Sequence, residues 1–139
     1  MTILSWNDQY LIGNSTIDEQ HKMLFKLIND FHSQWNQVHE PKEIAHLLNQ
    51  LIQYCEHHFA TEESIMQKEG YPKLAQHHND HEKLASSIFS LNEEYAERHE
   101  LASADVQKFV KHWLVDHIVN ADYAFRDFLA LKSQTKTSA

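Results

Sequence analysis

Imidazole and carboxylate side chains set at helical spacings are the groups in this chain best suited to chemistry. The 139-residue sequence holds 12 histidines, as many as its lysines and arginines combined. His-x-x-x-Asp/Glu occurs four times, as His39/Glu43, His58/Glu62, His78/Glu82 and His112/Asp116, and His77-x-x-x-His81 is the one histidine pair at that step. A step of four returns to nearly the same face of an α-helix, so each pair can offer two donor atoms to one point. Neutral imidazole suits Fe, Cu, Zn and Ni, and carboxylates can bridge a pair of ions, so the chemistry suggested is metal ligation. Any one of these pairs is equally at home on an exposed helix face. The single cysteine, Cys55, rules out an internal disulfide and a multi-cysteine zinc or iron–sulfur site.

Elements that could position these groups follow from capping and breaker signals. Thr16-Ile17-Asp18-Glu19 reads as a capping box opening a first helix, which runs to about Val38, ahead of Glu40-Pro41. A second helix fits Lys42 to Lys68 and stops at Gly70. Pro72 suits the first turn of a third, reaching Arg98, and Ser103 can cap a fourth that continues to Lys132. Residues 1–15 form an N-terminal extended segment and residues 133–139 a flexible polar tail. Long helices joined by short turns pack against their neighbours in opposite directions. The expectation is one all-α domain over residues 1–139, an antiparallel up-down-up-down four-helix bundle.

Inward stripes taken at alternating steps of three and four locate the unusual feature. They read Ile17, His21, Leu24, Ile28, Phe31, Trp35; Ile44, Leu48, Leu51, Cys55, His58, Glu62, Ile65; Leu74, His77, His81, Leu84, Ile88, Leu91, Tyr95; and Val106, Val110, Trp113, His117, Ala121, Ala124, Phe128. Five histidines and one glutamate fall where core residues belong, and Asp122 lies beside the fourth stripe. Antiparallel packing carries all seven towards one end of the bundle. A buried polar group without a partner costs roughly 2–7 kcal/mol. Net stabilities of about 5–15 kcal/mol cannot absorb seven such penalties. These groups must satisfy one another, most simply through metal.

His117 to Asp122 is a step of five, roughly 140° out of register on an ideal helix, and a π-bulge would bring both to one centre. His112/Asp116 has the better spacing, but His112 lies off the stripe, which favours His117/Asp122. Seven ligands exceed the four that zinc takes. They suit two ions of higher coordination number sharing two bridging carboxylates. Five imidazoles divide as three and two, which leaves one ion a position short and open to a small ligand. His32, His39, His46, His57, His78, His99 and His112 read as surface or neighbouring groups, with His57 and His78 adjoining proposed ligands. Cys55 reads as a small buried hydrophobe.

Acidic and basic residues number 20 and 12, a formal charge of −8, which argues against binding nucleic acid or an anionic membrane. No run of 18 apolar residues suggests a membrane span, and the start Met-Thr-Ile-Leu-Ser-Trp lacks signal-peptide character, so the expected location is cytoplasmic.

Trp6, Gly13, Ile17-Asp18-Glu19-Gln20-His21 with Leu24-Phe25, His58-Phe59-Ala60-Thr61-Glu62-Glu63, His77-x-x-x-His81 and Trp113-Leu114-x-x-His117-Ile118-x-x-x-Asp122 resemble the hemerythrin family, in its single-domain bacterial branch. The resemblance spans about Trp6 to Leu131 and favours His117/Asp122 over His112/Asp116. It implies a cofactor of two iron ions (Fe2+/Fe3+) with a bridging oxo or hydroxo group. His77, His81 and His117 would sit on the saturated iron and His21 and His58 on the open one, with Glu62 and Asp122 bridging. Leu24, Phe59, Trp113, Leu114 and Ile118 match the apolar pocket where the family binds dioxygen. The implied function is reversible dioxygen binding, as carrier, store or delivery protein, without catalysis. The competing expectations are an oxygen or redox sensor, and a di-iron enzyme reducing peroxide or nitric oxide. Expected partners are dioxygen and an oxygen-using enzyme or signalling protein, with the chain itself a monomer.

Overall fold

The computed structural model describes residues 4–37, 41–98 and 115–137. Along the chain these form a 3-10 turn (Asp8–Tyr10), helix α1 (Ser15–Gln37), helix α2 (Pro41–Glu69), helix α3 (Leu74–Arg98), and a π-helical turn (Ile118–Asp122) leading into helix α4 (Tyr123–Thr137). The described residues contain no strand, and the architecture is the expected four-helix bundle. The expected Ser103 cap, and the stripe positions Val106, Val110 and Trp113, lie outside the described residues.

The helix ends show where local chemistry departs from the expected pattern. Asn14, not Thr16, caps α1: its side-chain oxygen accepts from the Ile17 amide at 3.1 Å and its carbonyl from the Asp18 amide at 2.9 Å. Asn is the stronger N-cap of the two. Asp18 then turns back and accepts from the amides of Ile12, at 2.7 Å, and Gly13, at 3.4 Å. The buried carboxylate thereby ties the N-terminal segment to the helix it precedes. Farther back, Asn29 exchanges two hydrogen bonds with the Leu4 backbone, at 3.0 and 2.8 Å. Trp6, Tyr10 and Phe25 pack their rings 5.1–5.5 Å apart beside it.

Between α2 and α3 the chain makes a Schellman turn. Gly70 has φ +73°, its amide bonds the Gln67 carbonyl at 3.1 Å, and the Tyr71 amide bonds that of Met66 at 2.9 Å. Tyr71 and Met66 are buried in one cluster, the apolar contact that accompanies this cap. Helix α3 consequently begins at Leu74, later than Pro72, because Pro72 is still in the turn. The fourth helix runs beyond Lys132 to Thr137, so much of the expected polar tail is helical. No glycine or proline interrupts it, and Lys132 anchors it by donating to the Glu69 carbonyl and carboxylate at 2.8 and 2.9 Å.

Two apolar clusters form the core. The larger gathers Leu24, Phe25, Ile28, Phe31, Leu48, Leu51, Cys55, Phe59, Ile88 and Ile118; the smaller holds Ile12, Ile17, Met66, Tyr71 and Phe125. The first three stripes are buried over most of their described length, with Ile65, Leu74, Leu84 and Leu91 half-buried, and the fourth departs from expectation after His117. Ala121, Ala124 and Phe128 are half-buried, whereas Ile118, Asp122 and Phe125 are at most 1% exposed. The π turn adds one residue to a helical turn, so the buried stripe beyond it is displaced by one position.

Candidate metal centre

The six polar residues of the stripes and Asp122, which lies beside the fourth, all meet in the bundle interior. His21, His58, Glu62, His77, His81, His117 and Asp122 are each no more than 8% exposed. The awkward step in the fourth helix is resolved by the π turn, in which the Tyr123 amide reaches back five residues to the Ile118 carbonyl. That places His117 and Asp122 side by side, with Nε2 and Oδ1 3.2 Å apart.

The carboxylate oxygens sort the imidazoles into two groups. Glu62 Oε1 lies 2.6 Å from His77 Nε2, 3.1 Å from His81 Nε2 and 4.0 Å from His117 Nε2. Its other oxygen, Oε2, lies 3.4 Å from His21 Nε2 and 3.2 Å from His58 Nε2. Asp122 divides in the same way, with Oδ1 3.0 Å from His77 Nε2 and Oδ2 3.1 Å from His21 Nε2. Two donor sets result, Glu62, His77, His81, His117 and Asp122 in one and His21, His58, Glu62 and Asp122 in the other. Both carboxylates belong to both sets.

Hydrogen bonding does not account for this cluster. Among the described residues, His21 Nε2, Glu62 Oε2 and both Asp122 oxygens are buried close to opposite charges yet have no partner in hydrogen-bonding geometry. Their lone pairs converge on shared points instead of on one another's protons. Some 90% or more of buried polar groups are paired, so several orphans in one place call for an ion. Imidazole nitrogens and bridging carboxylate oxygens are a donor set suited to iron, and the residues fit a metal pair.

Without metal, protons do the balancing. Burial by itself pushes His21 down, but the adjacent carboxylates of Asp122 and Glu62 outweigh it and raise the group to about 9. His77 reaches about 9 by the same competition, and His117 about 10. His58 goes the other way, because burial outweighs its contact with Glu62. Burial likewise opposes ionisation of Glu62, yet the surrounding imidazoles of His117, His21, His58 and His77 hold its carboxyl well below the usual range, and Asp122 is also depressed.

Two contacts outside the cluster set imidazole orientation. His58 Nδ1 donates to Gln20 Oε1 at 2.8 Å, and His81 Nδ1 donates to Glu63 Oε2 at 3.0 Å. With Nδ1 carrying the proton, a neutral ring presents an Nε2 lone pair inward, the form a metal needs.

The model of the hemerythrin HHE cation binding domain matches residues 12–127. The chain belongs to the hemerythrin family. It is 32% identical to the bacteriohemerythrin of Methylococcus capsulatus over 123 residues, covering 88% of this chain and 93% of that protein. It is 28% identical to a hemerythrin-like protein of Naegleria gruberi over 125 residues, covering 90% and 92% respectively. The crystal structure of wild-type hemerythrin superposes with a TM-score of 0.80 at 30% identity, covering 89% of this chain and 95% of that one. A point variant of hemerythrin gives 0.82, covering 91% and 97%. Hemerythrin domains bind a di-iron centre, and the clustered histidines and carboxylates here suit one.

Of the residues that hemerythrin resemblance assigns to the ligand pocket, Leu24, Phe59 and Ile118 are buried in the larger cluster. Phe59 stacks on His81 with ring centroids 4.1 Å apart and planes 10° from parallel. Trp113 and Leu114 lie outside the described residues, as do His39, His99 and His112. Among the histidines beside the proposed ligands, exposed His57 lies against the Tyr54 ring, whereas His78 touches Glu63 and Glu82. Gln20 and Glu63 were not distinguished by the stripes, since both stand one position from a proposed ligand, on the flank of the inward face. Their adjacency to His21 and Glu62 was the available signal.

Proposed function

We propose that this chain binds dioxygen reversibly at a di-iron centre held by His21, His58, His77, His81, His117, Glu62 and Asp122. The observation that carries the reading is the unequal division of imidazoles, three and two, across shared carboxylates. With Glu62 and Asp122 common to both, the His21/His58 side has one protein donor fewer and can take a small exogenous ligand. A di-iron pair supplies two electrons that a bound dioxygen can borrow and return. The protein's part is to position and to exclude water. Phe59 stacks on His81; with Leu24 and Ile118, buried in the same apolar cluster, and with Trp113 and Leu114, it would wall the centre.

The donor set favours binding over oxidation chemistry. Oxygen-activating di-iron bundles carry four carboxylates with Glu-x-x-His pairs, whereas this cluster offers five imidazoles and two carboxylates. Fewer anionic donors stabilise high-valent iron less, leaving electrons easier to return. The test is the absorption spectrum of iron-loaded, anaerobically reduced protein before and after oxygen, with iron quantified. Two irons per chain are expected, with a visible charge-transfer band that fades when oxygen is removed. Continuous oxygen consumption without a recoverable starting spectrum would favour an enzyme, and iron far from two per chain would refute the centre.

A further inference from the structure

We infer that Glu63 is a positioning residue that makes the two halves of the centre electrically unequal, backing His81 with a carboxylate while Gln20 backs His58 with a neutral amide. The inference rests on the di-iron reading above and adds residues outside its ligand set.

The two outer contacts have the same geometry and different charge. His81 Nδ1 meets Glu63 Oε2 at 3.0 Å, and His58 Nδ1 meets Gln20 Oε1 at 2.8 Å. Each fixes the tautomer that turns Nε2 inward. A carboxylate acceptor also draws the Nδ1 proton towards itself, leaving the imidazole a richer donor at Nε2. An amide does this much less. Glu63 is held from its other side as well: Oε1 contacts His78 Nδ1, whose Nε2 contacts Glu82 at 3.1 Å. The Glu63 side chain is only 22% exposed, so its charge is partly shielded from solvent screening. His81, stacked against Phe59, cannot turn to another acceptor without breaking that ring contact.

Among the described residues, the three-histidine half thus has an anionic support that the two-histidine half lacks. A richer imidazole stabilises Fe3+ over Fe2+ in the one-electron couple of its own half. In a poised titration the electron passes to or from a soluble redox mediator.

Three variants separate charge from positioning. Glu63→Ala removes both and should weaken binding of redox-inert Zn2+ by about 10–100-fold, the usual cost of losing such an outer contact. Glu63→Gln keeps an acceptor and should restore most of that affinity. It should also shift the ferric/ferrous ratio at fixed poise about tenfold towards ferrous, which is 59 mV for one electron. Gln20→Glu should shift the ratio the opposite way. In metal-free protein, the His81 15N resonances should change with Glu63→Gln while those of His58 stay in place. Far-UV circular dichroism of each variant guards against misfolding. Should Glu63→Ala not fold, the two amide–carboxylate exchanges decide the matter. An unchanged potential in Glu63→Gln with two irons bound overturns this inference alone. Failure of the parent protein to hold two irons overturns the di-iron reading, and this inference with it.

Discussion

The four helices contain two kinds of interior. In one layer Leu24, Ile28, Phe31, Leu48, Leu51, Cys55 and Ile88 pack as an ordinary apolar core. In the adjoining layer the same helices turn five imidazoles and two carboxylates inward, equally buried. The first layer stabilises the fold by removing apolar surface from water, whatever the solution contains. The second must be neutralised by protons or by metal, so its contribution depends on what is bound. A single scaffold thus divides its interior into an unconditional part and a conditional one.

Removing one shared carboxylate gives the largest expected break in this contrast. Glu62→Ala should reduce iron from two per chain to less than one and abolish the oxygenated spectrum. It should also cost the metal-free protein about 3–5 kcal/mol, because imidazoles it now pairs are left buried and charged. Iron analysis and denaturant unfolding read the two effects. Retention of both irons would remove Glu62 from the bridge. In the apolar layer, Leu51→Ala should cost about 2–5 kcal/mol while leaving iron content at the parent value. A matching loss of iron would mean that the layers are not separable.

Acidity gives the smallest effect and the sharpest comparison. His21, His77 and His117 are raised to about 9, 9 and 10 in metal-free protein. Their contribution to stability is therefore complete below the unfolded value of about 6.5 and is lost as pH rises through 9–10. Glu62 and Asp122 are depressed, so theirs is complete above about 4.5 and is lost in stronger acid. His58, lowered by burial, opposes the other histidines, but they outnumber it. Metal-free protein should be most stable between about pH 4.5 and 6.5. Iron must displace protons from these same imidazoles, so its affinity should rise with pH up to about 9–10, above the reference histidine value of about 6.5. Calorimetry of both forms between pH 5 and 10 should give melting curves of opposite slope; parallel curves would contradict the assignment of these protons.

The bundle and the convergence of seven polar groups were legible because helical periodicity identifies inward faces whatever residues occupy them. Asp122 stood outside its stripe, and only the π turn explains how it faces inward beside His117. The same turn displaces the buried positions after it, so Phe125 is central where an uninterrupted helix would place Ala124. Thr16 and Glu19 mimic a capping box and mask the Asn14 cap, while the binding of Asp18 to the Ile12 and Gly13 amides depends on a loop path that periodicity does not describe. Gln20 and Glu63 escaped for a related reason: an inward stripe identifies what faces the centre, but not what stands behind it.

The π turn also gives the fourth helix a tolerance in chain length. Deleting exposed Val119 or Asn120 would let that helix close into regular α-helix, with Asp122 following His117 by four residues instead of five. A step of four keeps both side chains on nearly one face, so the carboxylate stays beside His117 while the backbone becomes more regular. A histidine–aspartate step of four at this place in a relative therefore encodes the same pair, and a motif written only with the five-residue step overlooks it.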